Sequence, residues 1–384
     1  MPRNVHKSIT GGIILSGAVP VYMQPELDKK IGVAHGVSPE TVEETLKNNP
    51  DAKAVLIINP TYYGVSTDIK KIADMVHEYD IPLIVDEAHG PHLNFNSRLP
   101  MSAMEAGADI CAQSTHKIIG SLTQSSMLHV NSKLVSPARV KQLINLMHTT
   151  SPSYILMASL DCARRQIALN GTELLEKTID LCNYVRSEVN KIPGFYCFGE
   201  EILNGFGAYA FDPTKITITC RDLGITGYDL DMILSNKYHI QMELSDIYNI
   251  LAVGSFGDTR DGMEQLLKAL GEISYEYYGK GTKKIDFIDI PSIPEQVQIP
   301  REAFNSVNTA VEIKKSVGMI SGEFLMAYPP GIPVLCPGER ITQEIVDYVE
   351  KLKNTGLYVQ GTEDPEVEYI KVVLEEDAVY ITVD

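Results

Sequence analysis

The sequence predicts an α/β fold built around a mainly parallel sheet. Short apolar runs alternate with helical patterns through the first third of the chain, which is typical of crossover units between parallel strands. Polar residues follow the carboxyl ends of three of these runs. A similar alternation continues on a smaller scale after Pro193 and Gly194. A large sheet domain followed by smaller α/β units is therefore expected.

Four apolar runs are predicted as strands of the main sheet. They occupy residues 54–59, 81–85, 108–113 and 126–130. After the first run, apolar residues between 69 and 76 keep helical spacing, and Ser66 or Thr67 is the expected helix cap. Ligands of open parallel sheets bind just beyond the carboxyl ends of the strands. The chemistry is therefore expected at residues 60–64, 86–92 and 113–117.

The remaining chain is predicted to form a helical spine and two further units. The pattern is mainly helical over 135–191, and a segment rich in Pro, Gly, Lys and Asp at 278–310 is expected to be a linker. A helix at 342–353 and two edge-like runs ending at Val383 follow it. These features predict three domains, which span 1–165, 166–277 and 278–384.

Composition excludes several classes of protein. With 33 Lys and Arg against 50 Asp and Glu, the net charge is −17, which has the wrong sign for a nucleic-acid or anionic-membrane binder. The sequence contains no transmembrane run and no signal peptide, which predicts a cytoplasmic protein. Its six cysteines form no C-x-x-C pair and are expected to be reduced, mostly buried thiols.

Lys117 is the strongest candidate for a reactive residue. It lies just past a predicted strand in the segment Ser114-Thr115-His116-Lys117. Its amine is suited to forming a Schiff base with an aldehyde, while the hydroxyls of Ser114 and Thr115 are suited to donating to a phosphate. An ordinary solvated surface lysine is the alternative interpretation.

Asp86 ends an entirely apolar predicted strand and begins the segment Asp86-Glu87-Ala88-His89-Gly90-Pro91-His92. A buried carboxylate is costly unless it is paired, and a protonated pyridine nitrogen would be a suitable partner. An Asp that caps a loop or helix is the alternative. His89 and His92, with Asp86 and Glu87, could instead bind a metal, but no metal-site helix motif accompanies them, so no metal is predicted.

Three aromatic residues near predicted turns are weaker candidates. His6, in the segment Asn4-Val5-His6-Lys7-Ser8, is suited to stacking on a planar ring. A lone histidine near a terminus is more often structural. Tyr62 and Tyr63 follow the first predicted strand and could line a pocket, although such a pair usually serves packing.

The D-x-A-H segment at Asp86, the S-T-H-K segment at Ser114 and the upstream N-V-H-K-S segment together resemble the Orn/Lys/Arg decarboxylase family. The resemblance runs through nearly the whole chain and includes Tyr328-Pro-Pro-Gly-Ile-Pro and Pro337-Gly-Glu. It implies a pyridoxal-phosphate enzyme of the aspartate-aminotransferase fold (fold type I). The chain is most similar to the shorter bacterial arginine decarboxylase branch.

The resemblance implies a role for each matching residue. Lys117 would form the Schiff base, Asp86 would pair with the pyridinium and His6 would stack on the ring. His89 would lie beside the cofactor, and Ser114 and His116 would help hold the phosphate. Weaker assignments place three residues near the substrate: Glu243, Asp246 and Cys336.

The implied reaction is decarboxylation of a basic amino acid, with arginine converted to agmatine as the expected case. Lysine or ornithine is the alternative substrate, and either Lys117 or His116 would return a proton to the α carbon. The family also implies a homodimer or larger homo-oligomer, with His148–Tyr154 facing a neighbour's cofactor. A different pyridoxal-phosphate reaction on basic amino acids also stays open.

The sequence departs from the family pattern at its start. Family members carry a further segment before Asn4-Val5-His6-Lys7-Ser8, and that segment includes a Gly/Ser/Thr-rich loop at a helix N-terminus that grips the phosphate. We therefore expect a large domain that lacks its N-terminal part. A noncatalytic remnant that binds a partner is the corresponding alternative function.

Overall fold

The computed structural model describes residues 1–280, 285, 287–327, 332–354 and 359–374. The chain divides into two compact units, Pro25–Ile285 and the combination of Met1–Gln24 with Asp286–Asp384. Grouping of the first 24 residues with the C-terminal segment was not expected from sequence. The division into 1–165, 166–277 and 278–384 stays a prediction.

The main sheet of the Pro25–Ile285 unit contains four strands. They are β1 (Val55–Ile58), β2 (Leu83–Asp86), β3 (Ile110–Gln113) and β4 (Met127–Val130), in that spatial order. The first three are parallel, and β4 is antiparallel to β3. All four coincide with predicted runs, so the predicted α/β class with a mainly parallel sheet is confirmed.

Burial explains why the first crossover helix forms. Helix Ile69–Glu78 places its four buried residues on one face: Ile69, Ile72, Ala73 and Val76. Its N-cap is Asp68, whose carboxylate accepts from the amide of Lys71 at 3.1 Å. The expected cap at Ser66 or Thr67 was wrong, because Ser66 pairs in a short strand and the Thr67 hydroxyl donates to Val37 O.

A second sheet lies later in the same unit and is antiparallel throughout. It contains β5 (Tyr196–Cys197), β6 (Lys215–Thr219), β7 (Leu244–Ser245) and β8 (Asn249–Val253), in the order β7-β8-β6-β5. Its buried side chains include Ile216, Ile218 and Ile250, which pack with apolar residues of the neighbouring helices. The predicted smaller α/β arrangement is therefore present.

The unit also contains shorter strand pairs, 3-10 turns and seven further helices among its described residues. Two-residue strands pair as Leu27–Asp28 with Val33–Ala34 and as Val65–Ser66 with Ala210–Phe211. Short 3-10 turns occupy Leu93–Phe95, Glu200–Ile202 and Arg221–Leu223. The remaining helices are Pro39–Asn48, Ala103–Ala106, Thr115–Ile118, Pro137–Met147, Tyr154–Val189, Gly227–Tyr238 and Arg260–Tyr277. The 36-residue helix Tyr154–Val189 corresponds to the predicted helical spine.

The other unit combines short helices with antiparallel strand pairs. Its helices are Lys7–Ser16, Pro300–Asn305 and Gln343–Asn354, and a 3-10 turn occupies Ile313–Lys315. Strand Asn308–Glu312 pairs with Tyr369–Val373, and Leu325–Ala327 lies between Ile332–Leu335 and Val359–Gln360. The predicted linker 278–310 thus contains a helix. Residues 328–331 of the motif at Tyr328, and the run ending at Val383, lie outside the described residues.

A buried ion pair joins the start of this unit to its C-terminal part. The guanidinium of Arg3 makes two hydrogen bonds to the Glu339 carboxylate, at 2.5 and 2.7 Å. Arg3 Nε donates to Pro333 O, and Glu339 also accepts from the amide of Cys336 at 2.7 Å. These bonds satisfy both buried charges, which explains how residues 1–24 belong to this unit.

The described helices and the cysteines can be compared with expectations from the sequence. None of the described helices is long and apolar enough to cross a membrane. All six cysteines are free thiols, and only Cys162 is exposed. The prediction of reduced, mostly buried cysteines is therefore confirmed.

Candidate active site

Polar side chains gather where the parallel strands of the main sheet end. Asp86 is the last residue of β2, and Ser114 to Lys117 follow β3 directly. Tyr62 follows β1. Because parallel strands end at one edge of a sheet, these residues share that edge, as the sequence predicted.

Lys117 lies on the short helix Thr115–Ile118 and contacts two aromatic side chains. Its Nζ is 3.0 Å from His89 Nε2 and 5.4 Å from the centroid of the Tyr62 ring. The His89 and Tyr62 rings contact each other, with centroids 4.4 Å apart. The structure therefore brings Lys117 and His89 together and adds Tyr62, to which sequence reasoning gave little weight.

The surroundings of Lys117 favour its uncharged amine. Burial lowers the pKa of Lys117, and the charge of Lys215 lowers it further, while Asp86 and Glu243 oppose the change. Burial also holds the pKa of His89 well below its ordinary value, with the charges of Lys117 and Lys215 acting in the same direction. Both shifts favour the uncharged forms of the amine and the imidazole, and an amine is nucleophilic only in its uncharged form.

Asp86 and Glu243 supply negative charge near this amine. Asp86 is half-buried, and its Oδ1 accepts from the amide of Ala88 at 3.1 Å. Glu243 is exposed at the edge of the second sheet, and its backbone amide donates to Leu251 O at 2.9 Å. Both carboxylates favour the protonated form of Lys117, which identifies them as its electrostatic neighbours.

Ser114 and His116 flank Lys117 on the same segment. The Ser114 side chain makes no capping hydrogen bond to the helix that begins after it. The Nδ1 atom of His116 lies 2.7 Å from the carbonyl oxygen of Ser125. The imidazole is therefore oriented through Nδ1 by the backbone.

Asp246 is buried, and its carboxylate makes several hydrogen bonds within the fold. Its Oδ2 accepts from the Tyr63 hydroxyl at 2.6 Å, and its Oδ1 accepts from the amides of Tyr248 and Asn249 at 2.7 and 2.8 Å. Burial raises the pKa of Asp246, although these hydrogen bonds oppose the rise. The contacts tie Tyr63 to the second sheet, and the substrate role of Asp246 stays a prediction.

Two predicted site residues lie in the other compact unit. His6 is the N-cap of helix Lys7–Ser16, and its Nδ1 accepts from the amide of Ser8 at 3.3 Å. Cys336 is fully buried, and burial raises the pKa of its thiol to about 12. Its Sγ accepts from the hydroxyl of Tyr22 at 3.6 Å. The ring-stacking role of His6 and the substrate role of Cys336 stay predictions.

The residues considered as metal ligands have other partners. Glu87 accepts from the amide of Ala103 and the side chain of Gln113, each at 2.6 Å. His92 Nε2 lies 3.0 Å from Asp212 Oδ2, while His89 contacts Lys117. In the part of the chain that the structure describes, no group of three or more His, Cys, Asp or Glu is placed to hold a metal ion.

Sequence reasoning missed Asp212 and Lys215. The Nζ atom of Lys215 lies 3.5 Å from the backbone oxygen of His89. Asp212 and Lys215 are completely buried, and Lys215 Nζ is 2.8 Å from Asp212 Oδ2. Lys215 begins the strand Lys215–Thr219, where a lysine is normally expected to face solvent. No local sequence signal distinguishes it from a surface lysine.

Models of two domains of the Orn/Lys/Arg decarboxylase family match the chain, the major domain over residues 1–262 and the C-terminal domain over 288–382. An arginine decarboxylase from Halalkalibacterium halodurans is 47% identical over 99% of this chain and 77% of its own length. A constitutive lysine decarboxylase from Escherichia coli is 25% identical over 94% of this chain and 63% of its own length. The chain therefore spans about three quarters of the first relative and under two thirds of the second.

Solved structures show the same fold. The lysine decarboxylase of Francisella novicida matches with a TM-score of 0.82 at 24% identity, over 97% of this chain and 66% of its own. A ureidoglycine-glyoxylate aminotransferase from Bacillus subtilis matches with a TM-score of 0.55 at 14% identity, over 73% of this chain and 75% of its own. These likenesses confirm the predicted aminotransferase-type α/β fold. With both domain models matched in order along nearly its whole length, the chain belongs to the Orn/Lys/Arg decarboxylase family.

Proposed function

We propose that this chain decarboxylates arginine to agmatine with pyridoxal phosphate as cofactor. The observation that carries the proposal is the half-buried Lys117, whose amine contacts His89 at the ends of the parallel strands. Orn/Lys/Arg decarboxylases and proteins of the aminotransferase fold are pyridoxal-phosphate enzymes in general. The 47% identical relative is an arginine decarboxylase, which favours arginine as substrate.

The residues present fit the chemical groups of this cofactor. Its aldehyde needs an amine, which Lys117 offers, and its basic ring nitrogen needs an anion, which Asp86 offers. The donors suited to its phosphate are Ser114, whose hydroxyl is not used as a cap, and His116. His89 Nδ1 is buried without a hydrogen-bond partner among the described residues, as expected for an atom that faces a bound group.

Each residue has a defined task in the proposed reaction. When bound, the cofactor would supply an electron sink for the electron pair that stays on the α carbon when the bond to the carboxylate breaks and carbon dioxide leaves. The negative charge of Asp86 would stabilise a proton on the ring nitrogen. Lys117 Nζ, which can exchange a proton with His89 Nε2 over 3.0 Å, is suited to returning a proton to the α carbon. His116 Nε2 is the second candidate for that step.

The acidic surroundings of Lys117 support a basic substrate. Glu243 is exposed, and its charge reaches the reactive amine. An exposed carboxylate near the reactive amine would attract the cationic side chain of arginine, lysine or ornithine. Charge alone does not separate the three substrates, so the choice of arginine rests on sequence identity.

Absorbance and product assays test the proposal. We expect the purified chain to develop a visible band with added pyridoxal phosphate and to release carbon dioxide and agmatine from arginine. Lys117→Ala should lose both signals, while the matched control Lys177→Ala should keep them because Lys177 is a surface lysine that is 71% exposed. Faster turnover of lysine or ornithine would replace arginine as the proposed substrate.

The other outcomes identify the alternative functions. A band without carbon dioxide release from any basic amino acid would indicate a different pyridoxal-phosphate reaction. No band in either the parent chain or the Lys117→Ala variant would overturn the catalytic proposal and favour a noncatalytic binding role.

We further propose that the chain forms a homodimer or a larger homo-oligomer. Helix Pro137–Met147 has no buried residue, and Leu146, Met147, Tyr154 and Ile155 are each more than two-thirds exposed. Apolar side chains exposed in this number are typical of an interface. The segment 148–154 between them would then face a neighbouring subunit.

Sedimentation velocity tests the assembly. Leu146→Asp should shift the chain toward monomer, because a carboxylate at an apolar contact must be desolvated. Lys141→Asp on the same helix provides the control. If the parent chain is a monomer with full activity, the proposed assembly is wrong.

A further inference from the structure

The proposed reaction leaves a buried group of charged residues unused. His92, Asp212 and Lys215 are all completely buried. Asp212 Oδ2 lies 2.8 Å from Lys215 Nζ and 3.0 Å from His92 Nε2. Burying these charges costs free energy that apolar residues of the same volume would avoid. Their position next to the reactive lysine suggests what they contribute.

Both carboxylate oxygens of Asp212 accept hydrogen bonds, one from within the group and the other from the neighbouring Thr214. Its second oxygen, Oδ1, accepts from the amide and the hydroxyl of Thr214 at 3.0 and 2.7 Å. Burial alone would raise the pKa of Asp212, but the charge of Lys215 and the hydrogen bonds from Lys215 and His92 hold it below its ordinary value. Asp212 is therefore ionised and gives Lys215 a fixed counter-charge.

The backbone at Gly64 packs closely against the aliphatic part of the Lys215 side chain. Gly64 adopts a positive φ of 83°, and a Cβ atom added there would lie 2.7 Å from Lys215 Cγ. The ammonium group is also within 3.3 Å of the Thr214 hydroxyl. The lysine is thus held along its stem and at its tip, so its position is defined by the fold.

Lys215 connects this group to the candidate active site. Its Nζ lies 3.5 Å from the backbone oxygen of His89, and the His89 ring contacts Lys117 Nζ at 3.0 Å. His92, three residues after His89, is fastened to Asp212. The segment that carries His89 is therefore held at two points by the Lys215 and Asp212 pair.

Charged and titratable groups surround both lysines. Lys117 faces His89, Tyr62, Asp86 and Glu243, and the charge of Lys215 also reaches it. Two of these groups are anionic and favour a protonated amine, whereas Lys215 is a cation and opposes it. Lys215 therefore counters the acidic side of the site.

We propose that Lys215, held by Asp212 and His92, is a positioning residue that fixes His89 against Lys117 and, as a nearby buried cation, disfavours a second positive charge on the Lys117 amine. The inference deepens the proposed function and rests on it for the identity of the reaction. The state of Lys117 can be measured without the reaction, so the two proposals are separately testable.

Competitive amine labelling of the purified full chain tests the proposal without added cofactor. Brief pulses of acetic anhydride over a pH series, followed by peptide mass spectrometry, report the uncharged fraction of Lys117, with Lys177 as the internal reference. We expect Lys215→Met to move the Lys117 profile to higher pH and to slow its labelling at neutral pH. The exposed Lys237, 56% accessible and paired with Glu276, supplies the control Lys237→Met, which should leave the profile unchanged.

A second variant separates electrostatics from folding. Lys215→Met alone leaves Asp212 buried without its partner, whereas the double variant Lys215→Met with Asp212→Asn removes both charges at nearly constant volume. A Lys117 profile that moves to higher pH in the folded double variant supports the proposal, and a wild-type profile or a move to lower pH overturns it. Absence of decarboxylation in the parent chain, with the labelling shift intact, would overturn only the proposed function.

Discussion

Glu87 is the side chain whose protonation should most clearly control stability near neutral pH. It follows Asp86 in the sequence and is fully buried, and its carboxylate accepts from the amide of Ala103 and the side chains of Gln113 and Cys111. Burial raises the pKa of Glu87 to about 7, and the three hydrogen bonds only partly oppose this. The folded chain therefore keeps the proton over a pH range in which the unfolded chain loses it.

The sign and size of the effect follow from these two states. Between the ordinary pKa of 4.5 and the folded value of about 7, the folded state binds one proton more than the unfolded state. The contribution of Glu87 to stability is consequently greatest below pH 4.5, decreases as the pH rises to about 7 and is constant above that pH. The decrease amounts to about 3 kcal/mol at about 1.4 kcal/mol for each pH unit.

Glu87→Gln should remove this dependence, because an amide stays neutral. Rearranging one hydrogen bond costs about 1 kcal/mol at every pH, so the variant should be more stable than the parent by about 2 kcal/mol at pH 8 and slightly less stable at pH 5. Urea unfolding of both chains from pH 5 to pH 8 measures the difference. Glu105→Gln, an exposed carboxylate on helix Ala103–Ala106, is the control. A difference between the parent and Glu87→Gln that is constant with pH would refute the reasoning.

Two further changes test contacts around the candidate site. Gly64→Ala should destabilise the fold by about 3 kcal/mol, since strain at positive φ adds to overlap with Lys215, whereas Gly107→Ala, with φ of 98° and open space around it, should cost about 1 kcal/mol. Equal losses in urea unfolding would exclude the overlap. Tyr63→Phe removes the 2.6 Å hydrogen bond to buried Asp246 and should cost about 2 kcal/mol, with a larger loss at high pH because the ionised carboxylate loses a donor. An unchanged unfolding free energy would contradict that role.

The part of the site predictable from sequence is the part encoded locally. Asp86 directly follows one apolar run and Lys117 lies four residues after the end of another, so strand periodicity alone placed them at one edge of the sheet. The four strands of that sheet were predictable for the same reason. The assembly of residues 1–24 with the C-terminal segment was not, because it depends on the pair Arg3 and Glu339, which lie far apart in sequence.

The contacts that set the chemistry of Lys117 are nonlocal. His92 and Asp212 are separated by more than a hundred residues, and neither neighbourhood contains a motif that pairs them. Tyr62 looked like a packing residue because its ring contact with His89 depends on the relative position of two strand ends. Hydrophobic periodicity locates where a strand ends but carries no information on which distant charge is buried beneath it.

The charges around Lys117 act in opposite directions, and this opposition explains how the pKa of a lysine beside two carboxylates can still be lowered. The carboxylate of Glu243 suits a positively charged substrate, but both Asp86 and Glu243 also stabilise the protonated amine. Burial and the fixed cation of Lys215 act against that protonation. Because Lys215 is completely buried and paired with Asp212, it can act on the amine while remaining shielded from solvent and from the substrate. Substrate attraction and amine reactivity can therefore be set by separate residues.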